Sequence, residues 1–424
     1  MNREKTKYLL IGFSVAAWFA ARAIREVDWN GRILAVSDEE KAYSRPLLSY
    51  ALGQGSRGIA YNGDALQRAD VDILWGKRVS SLDLAGRTAI LANGDEVEFD
   101  KGLIATGGVP VLPAFSGMDS PGVFTFTRVR DLDEVDRFIH RNQIQKVVIL
   151  GGGFIGLKTA EALLGRELEL SIVELAPRLL GNMVDKEGSA LLEKALRNHD
   201  LEVILEDTIE RFESDQGRLS AVMLRSGRRI PSELAVIAIG IRPNVDWLKH
   251  TGLEIDRGVV VDTHQETSVP GIFAAGDVAE TTHFLTGERV VSAVWPEAVA
   301  QGKVAGWNMA GRETEYAGSL PVNALEVGEL PLISAGIVSP DGVGFETLVR
   351  RRGGVYQKLV LAGDRVVGLI FVGEIEKAGI YLNLIRQRFP VDTFREKLLD
   401  PKFGIINLPF NFRKHMVEGA GIEV

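Results

Sequence analysis

Two segments of the chain repeat one order of apolar and polar positions. In each, a run of four apolar residues, 8–11 and 147–150, leads into a short turn and then an apolar-periodic stretch. A second, largely apolar run follows at 33–36 and at 170–173. Continuous apolar runs bounded by turn signals are typical of strands buried on both faces of a parallel sheet. The pattern therefore predicts strand, turn, helix and strand in both segments, as in a parallel βαβ unit.

The turn of the second segment has the sequence Gly151-x-Gly153-x-x-Gly156, and its second strand ends at Glu174. Glycines at these positions permit a tight turn and a close approach of the backbone to a pyrophosphate. The helix N-terminus then faces the phosphates, and the terminal acid binds a ribose hydroxyl. We therefore predict a dinucleotide site formed by Gly151, Gly153, Ile155, Gly156 and Glu174.

The N-terminal segment can be interpreted in three ways. Basic residues before an apolar run resemble a secretory signal, and Gly-Phe-Ser-Val-Ala is close to the Gly-x-Ser-x-Gly elbow of serine hydrolases. The third interpretation is a dinucleotide turn, Gly12-x-Ser14-x-x-Ala17, in which alanine is allowed at the third position. A signal peptide would remove the first strand of the sheet, and a nucleophile elbow normally follows several strands. We therefore favour a nucleotide turn, with Asp38 and Glu39 just after its second strand.

Composition narrows the range of functions. The 424 residues are 46% hydrophobic and 25% charged, with a net charge of −8, which argues against nucleic acid as a partner. No segment approaches the roughly 20 apolar residues of a membrane span. The absence of cysteine excludes a disulfide, a thiolate metal site and a redox-active thiol. The six histidines are scattered, so no metal site is predicted, and with the signal peptide rejected we expect a cytoplasmic protein.

Three more strand-like runs end in glycine. Residues 101–113 and 233–248 each pass from an apolar strand into Ala-x-Gly and then proline, whereas residues 266–280 pass into Gly-Asp. An acid at such a strand end can hold a polyol hydroxyl. Together with the two turns, these strand ends indicate two nucleotides bound face to face. The residues concerned are Ala105, Thr106, Gly107, Gly240, Gly276 and Asp277.

The order of these motifs resembles the two-dinucleotide-binding-domain flavoproteins of the pyridine nucleotide–disulfide oxidoreductase superfamily. Within it, the chain is most similar to NADH:rubredoxin reductases and to the flavin segment of assimilatory nitrite reductases. The resemblance covers residues 7–311. It implies an α/β fold with two Rossmann-like three-layer nucleotide-binding domains and a C-terminal α+β interface domain. The expected boundaries are residues 1–110 with 246–311 for FAD, 111–245 for NAD and 312–424 for the interface or docking domain.

The resemblance implies FAD at the N-terminal turn and NAD at the second turn. Gly12, Ser14 and Ala17 would approach the FAD diphosphate, and Asp38 or Glu39 its adenosine ribose. A helix beginning near residue 295 would direct its positive end at the flavin and stabilise negative charge there. For Trp295, ordinary packing against neighbouring side chains is as open as contact with the flavin. The other implied contacts of FAD are Arg45, Pro46, Ala105, Thr106, Gly107, Gly276, Asp277, Trp295 and Pro296.

The chain departs from this family beside the flavin. Thiol-using relatives have a cysteine where our alignment places Pro46, so reduction of disulfides or peroxides through a cysteine is excluded. Rubredoxin-reductase-like members have lysine at the position of Tyr50 and glutamate at that of Lys158. Lys158 is then either an uncompensated ammonium near the flavin or a side chain that extends to solvent. Phe154 occupies the place of an aromatic residue that, in relatives, covers the flavin until nicotinamide arrives. The alternative is that Phe154 only packs against its neighbours.

These features predict an FAD-dependent NAD(H):acceptor oxidoreductase that exchanges hydride with NAD and single electrons with an iron–sulfur protein. NAD is expected over NADP because Glu174 would repel a 2′-phosphate. Arg178, four residues further on, would instead favour that phosphate. The expected role is the NAD-reducing subunit of an aldehyde, 2-oxoacid or CO oxidoreductase complex. The alternatives are a stand-alone rubredoxin or ferredoxin reductase, an NADH oxidase or diaphorase, and a non-catalytic flavoprotein. The C-terminal domain, with the tail at residues 394–416, would form either a docking surface or ordinary packing, in a homodimer or a hetero-oligomer.

Overall fold

The computed structural model of the protein describes residues 2–52, 59, 69–340, 342–410 and 412–413. Contacts between Cα atoms divide the chain into two units. Unit 1 comprises Met1–Val173 and Thr208–Pro321, and unit 2 comprises Glu174–Asp207 and Val322–Val424. The boundaries predicted above for three domains stay predictions.

In chain order the strands are β1 (Arg3–Ile11), β2 (Ile33–Val36), β3 (Asp72–Leu74), β4 (Val79–Asp83), β5 (Thr88–Leu91), β6 (Glu96–Ile104), β7 (Gly108–Pro110), β8 (Val123–Thr125), β9 (Lys146–Leu150), β10 (Glu169–Val173), β11 (Glu202–Ile204), β12 (Ile209–Asp215), β13 (Arg218–Leu224), β14 (Arg229–Pro231), β15 (Leu234–Ile237), β16 (Ile241–Pro243), β17 (Val259–Val260), β18 (Ile272–Ala274), β19 (Ala279–Thr282), β20 (Arg289–Val290), β21 (Val322–Val327), β22 (Leu330–Gly336), β23 (Phe345–Arg352), β24 (Val355–Ala362) and β25 (Arg365–Val372). The four apolar runs predicted as strands lie in β1, β2, β9 and β10.

The helices of the described residues alternate with these strands. The α-helices are α1 (Val15–Arg25), α2 (Leu48–Ala51), α3 (Val129–Asn142), α4 (Phe154–Leu163), α5 (Lys186–Arg197), α6 (Trp295–Ala310) and α7 (Ala378–Arg386). The 3₁₀ helices are Arg45–Leu47, Asp246–Leu248, Asp392–Lys397 and Ile405–Asn407.

The first parallel sheet of unit 1 has the order β3-β2-β1-β6 and is extended by β5 and β4, while β18 also pairs with β6. Ile11, the last residue of β1, is in register with both Val36 and Ile104. Ala274, at the end of β18, is in register with Ile104 as well. Because parallel strands in register end together, the segments that follow β1, β2, β6 and β18 meet at one edge of the sheet.

The second parallel sheet of unit 1 contains β10, β9, β15 and β8 in that order. Leu150, at the end of β9, is in register with Val173 and with Ile237. Val147–Leu150 of β9 and all of β15 are buried, which matches the apolar sequence of these residues. Both predicted βαβ units, and the predicted Rossmann-like α/β fold, are thus confirmed.

Unit 2 is built on an antiparallel sheet with the order β21-β22-β25-β24-β23. Helices α5 and α7 pack on this sheet. Strands β24 and β25 and helix α7 give this unit the α+β character that the resemblance implies for the C-terminal region. Part of the tail predicted as a docking surface, residues 411 and 414–416, lies outside the described residues.

Candidate functional site

The turn after β1 leaves no room for a side chain. Gly12 has φ +87°, and a Cβ built on it would lie 2.4 Å from the carbonyl oxygen of Ala105. The amide of Gly12 donates to Val36 O at 2.8 Å, and that of Ala105 donates to Ile11 O at 2.8 Å. The turn is therefore fixed between the ends of β2 and β6, and it brings Ala105, Thr106 and Gly107 beside the start of α1.

Helix α1 begins in this turn with free donor groups. Ser14 is its N-cap, and among the described residues no side chain caps the helix and no acid lies in its first turn. Ala17, one turn on, is fully buried. Unpaired amides and the positive end of a helix form a natural site for an anion. This end of the sheet therefore fits the diphosphate of a dinucleotide.

Helix α6 packs directly on the backbone of α1. A Cβ on Gly302 would lie 2.2 Å from Ala16 O, and one on Gly306 would lie 2.3 Å from Ala20 O. Such contact between backbones requires glycine. Trp295 and Pro296 are the first two residues of α6, so the N-termini of both helices lie at the same edge of the sheet.

Gly276 and Asp277 join the same cluster from the end of β18. The amide of Gly276 donates to the side-chain oxygen of Gln301 at 2.8 Å, and the φ of Gly276 is +81°. Desolvation raises the pKa of Asp277, and the Arg45 guanidinium partly opposes this shift. Arg45 also lies close to Gly107, since a Cβ there would be 3.7 Å from its Nη1. An acid and an arginine thus lie together where the resemblance placed the ribityl chain and the flavin ring; Pro46 is exposed beside them.

The first turn of α6 carries a buried acid that the sequence analysis did not consider. Glu297 is 5% exposed, and its carboxylate accepts a hydrogen bond from the hydroxyl of Tyr316. Burial raises the pKa of Tyr316 above its usual range, so it remains a donor. The first turn of α6 thus already contains an acid of this chain, and the stabilisation of negative charge on the flavin by this helix stays a prediction.

The two acids after β2 already have donors within the protein. Arg128 Nη1 donates to Asp38 Oδ2 at 3.1 Å, and its Nε lies 3.8 Å from Glu39 Oε1. Tyr43 donates to Glu39 at 3.1 Å, and burial raises the pKa of Tyr43 to about 12. The side chain of Asp38 remains 46% exposed, which leaves its carboxylate accessible to a ribose. Arg128 was missed in the sequence because it lies far from these acids along the chain.

The second turn has no room for a side chain at Gly151 and Gly156 but has free space at Gly153. A Cβ on Gly151 would lie 2.4 Å from Ala238 O, and one on Gly156 would lie 1.9 Å from Gly151 O. A Cβ on Gly153 meets nothing within 4 Å, and the same holds for Gly240. Gly153 caps α4, whose first turn has neither an acid nor, within the described residues, a capping side chain. The residues therefore fit a pyrophosphate above Gly153, next to the partly exposed Phe154 and Ile155.

Glu174 directly follows β10 and is the first residue of unit 2. One of its carboxylate oxygens accepts a hydrogen bond from the amide of Ala176 at 2.7 Å. Arg178 donates to Gly181 O at 3.0 Å and so has a partner within the same loop.

The expectation of an uncompensated or solvent-exposed Lys158 is wrong in both forms. Lys158 is 8% exposed, and its ammonium forms an ion pair with Glu161, three residues further along α4. It also donates to the hydroxyl of Tyr50 at 3.1 Å and lies 4.4 Å from the centre of the Tyr50 ring. The acid that compensates the lysine was visible in the sequence, but the comparison with relatives drew attention only to positions 50 and 158.

The part of the chain that the structure describes has neither a cluster of metal ligands nor a helix that could span a membrane. No three His, Asp or Glu side chains lie together as metal ligands would. No helix there has the length and apolar character needed to cross a membrane.

Two known families match the chain. Residues 6–302 match the family described as pyridine nucleotide-disulphide oxidoreductase, and residues 321–389 match the rubredoxin NAD+ reductase C-terminal domain. The chain is 30% identical to the epsilon subunit of NADH-dependent phenylglyoxylate dehydrogenase from Aromatoleum evansii, over 93% of this chain and 95% of that protein. It is 29% identical to an NADH oxidase from Methanocaldococcus jannaschii, over 78% of this chain and 76% of the relative.

A solved structure has the same fold. The NAD-dependent persulfide reductase from A. fulgidus superposes with a TM-score of 0.86 at 25% identity, over 92% of this chain and 78% of that one. The two nucleotide turns described above lie within the segment that matches the oxidoreductase family. The chain therefore belongs to the pyridine nucleotide-disulphide oxidoreductase family, as an NAD(H)-dependent flavoprotein oxidoreductase whose cofactors are FAD and NAD.

Proposed function

We propose that the chain passes electrons between an iron–sulfur protein and NAD, as the NAD-reducing subunit of a multi-subunit aldehyde, 2-oxoacid or CO oxidoreductase. The observation that carries the proposal is the combination of two nucleotide turns with a complete absence of cysteine. A chain without thiols has no internal disulfide or cluster to receive electrons. The acceptor or donor must therefore meet the flavin from outside.

FAD, when bound, can exchange two electrons with NAD as hydride and release or accept them singly. We assign the FAD diphosphate to Gly12, Ser14 and Ala17, and the ribityl chain to Asp277. The NAD pyrophosphate would lie over Gly153. The remaining residues named in the sequence analysis around these two turns are proposed as contacts of the same two cofactors.

Lys158 and Phe154 are proposed to act at the contact between flavin and nicotinamide. Phe154 is the first residue of α4 and is partly exposed above the open Gly153. Lys158 lies one turn further along the same helix, held between Glu161 and Tyr50. Because Glu161 compensates its charge, we assign Lys158 to orienting Tyr50, and no longer to raising the flavin potential as a lone cation.

The relatives support the role as a subunit of a complex and also a simpler alternative. The epsilon subunit of NADH-dependent phenylglyoxylate dehydrogenase aligns along nearly its whole length, which favours the subunit role, since phenylglyoxylate is a 2-oxoacid. The NADH oxidase favours a chain that acts alone on oxygen.

Reconstitution separates these functions. The protein loaded with FAD is mixed with NAD+ and a photochemically reduced bacterial ferredoxin, and formation of NADH is followed by absorbance. We expect NADH to form only when ferredoxin is present. Rapid oxidation of NADH by oxygen alone, without ferredoxin-dependent NAD+ reduction, would contradict the proposal and favour the oxidase.

A pair of glycine variants tests whether NAD reacts at the second turn. Gly153→Ala places a methyl group in open space, where it obstructs only a bound pyrophosphate, and should raise the KM for NAD+ about tenfold or more. Gly379→Ala in α7, where a Cβ also meets nothing within 4 Å, is the matched control. Equal KM values for both variants would show that NAD does not bind over Gly153.

A further inference from the structure

Three aromatic side chains lie together on the outer face of helices α1 and α6. The rings of Trp18 and Phe19 are 5.2 Å apart, and the rings of Phe19 and Trp295 are 6.2 Å apart in an edge-to-face arrangement. Trp295 is 38% exposed, and both other rings are partly exposed. Large aromatic side chains at a protein surface are concentrated in interfaces with other proteins.

Two cations lie over these rings. The guanidinium of Arg22 is 5.4 Å from the Phe19 ring centre and 5.9 Å from that of Trp18, and Lys303 Nζ is 5.4 Å from the Phe19 ring centre. Within the described ranges, neither cation forms an ion pair with Asp or Glu. The neighbouring Arg25 differs, because it is tied to main-chain carbonyls and Asp70. The face thus carries two positive charges on a chain whose net charge is −8.

This face is close to the proposed FAD site. Trp295 begins α6, and α6 contacts the start of α1 through Gly302 and Ala16. Gln301, on the same helix, holds the amide of Gly276. The face therefore covers the outside of the two helices whose N-termini meet at the FAD turn.

We propose that this α1–α6 aromatic face, formed by Trp18, Phe19, Arg22, Trp295 and Lys303, is the docking surface for an acidic iron–sulfur protein. The inference rests on the proposed function and specifies where the electron partner binds. Aromatic rings supply contact area, and the two cations steer an acidic partner and fix its orientation. Two reduced partner molecules lose one electron each, and NAD+ with one proton gains both electrons to give NADH.

The test reverses the two charges. The double variant Arg22→Glu with Lys303→Glu is compared with wild type in the ferredoxin assay over a range of ferredoxin concentrations and ionic strengths. The KM for an acidic two-cluster ferredoxin should rise about tenfold or more, and the dependence on salt should weaken. Oxidation of NADH by menadione, an uncharged small acceptor, should remain at the wild-type rate.

Arg312→Glu is the matched control. Arg312 also lies over a tryptophan, 4.9 Å from the ring centre of Trp307, but just beyond the opposite end of α6. It should leave the KM for ferredoxin unchanged, although, like Arg22→Glu, it replaces one exposed arginine with glutamate.

The outcomes are distinguishable. If wild type forms no NADH with ferredoxin, the proposed function fails and the docking surface with it. If wild type turns over and the double variant has the same KM for ferredoxin, the function stands and the docking surface is overturned. If the double variant converts a dimer into a monomer in sedimentation velocity with no change in this KM, the face joins two copies of the chain and the proposal is again overturned.

Discussion

Asp185 allows a quantitative test of the interactions that hold α5 on the sheet of unit 2. Its carboxylate accepts hydrogen bonds from Tyr356 at 2.6 Å, from Lys358 at 2.9 Å and from the amide of Gly188 at 3.1 Å. Lys358 is 9% exposed and also donates to Val338 O. Asp185→Asn keeps the N-cap, because asparagine caps helices about as well as aspartate. The substitution therefore removes the charge and leaves the capping interaction in place.

The expected cost follows from the burial of the pair. Removing one partner of a buried ion pair leaves the other charge without compensation, which costs about 3–5 kcal/mol. Hydrogen exchange of the α5 and β24 amides is a suitable assay because it measures local opening and does not require two-state unfolding of the whole chain. Exchange should become roughly 10²- to 10⁴-fold faster. Lys358→Met in the same chain should restore most of the protection, since it removes the uncompensated ammonium.

The pH dependence of this interaction has a defined sign. Burial alone would raise the pKa of Asp185, but hydrogen bonds from Tyr356, Lys358 and Gly188 outweigh it and hold the pKa below its usual range. The stabilisation is therefore complete above the ordinary aspartate pKa of about 3.9 and is lost as pH falls through the lower pKa of the folded state. The difference between wild type and Asp185→Asn should be constant from pH 7 to pH 5. Equal exchange rates in the two proteins at neutral pH would refute the reasoning.

Three other substitutions test the nucleotide sites. Glu174→Ala should reduce the preference for NAD over NADP, because it removes the acid that repels a 2′-phosphate; an unchanged ratio of kcat/KM for the two cofactors would refute this. Asp277→Ala should weaken retention of FAD by about 1.5–3 kcal/mol, measured by flavin fluorescence on dilution, and full retention would exclude the proposed contact. Gly302→Ala forces a Cβ to within 2.2 Å of Ala16 O, which should destabilise the fold by about 1–3 kcal/mol and lower the Tm. The control Gly379→Ala should stabilise the fold by about 0.5–1 kcal/mol. Equal Tm values for the two variants would contradict the close contact between α1 and α6.

The sequence predicted the parts of the fold that depend on neighbouring residues. Strand, turn and helix around Gly12 and around Gly151 follow from local periodicity and from glycine positions, and each lies within a short segment. The α1–α6 contact was not predicted, because the pairing of Gly302 with Ala16 depends on how distant segments fold together. The same limit explains why Arg128 was missed beside Asp38.

The error over Lys158 has a different cause. Glu161 lies three residues away on the same helix, and such pairs face each other on an α-helix. Local reasoning would have found the partner, but comparison with relatives treated the position as half of a pair with residue 50. A substitution relative to a family must therefore be assessed against every neighbour on its own helix before its charge is called uncompensated.

The backbone contact between α1 and α6 also bears on how such proteins recombine. The two helices lie at opposite ends of unit 1 in sequence, and the segment with the second nucleotide turn lies between them. Because Gly302 and Gly306 accept no side chain, a chimera that exchanges α6 alone must bring a helix with glycines at the same spacing. Exchange of the intervening segment leaves both helices untouched. Grafting is therefore expected to fail at α6 unless its glycines are kept, whereas a graft of the NAD-binding segment spares this contact and has to retain Asp185, the partner of Tyr356 and Lys358.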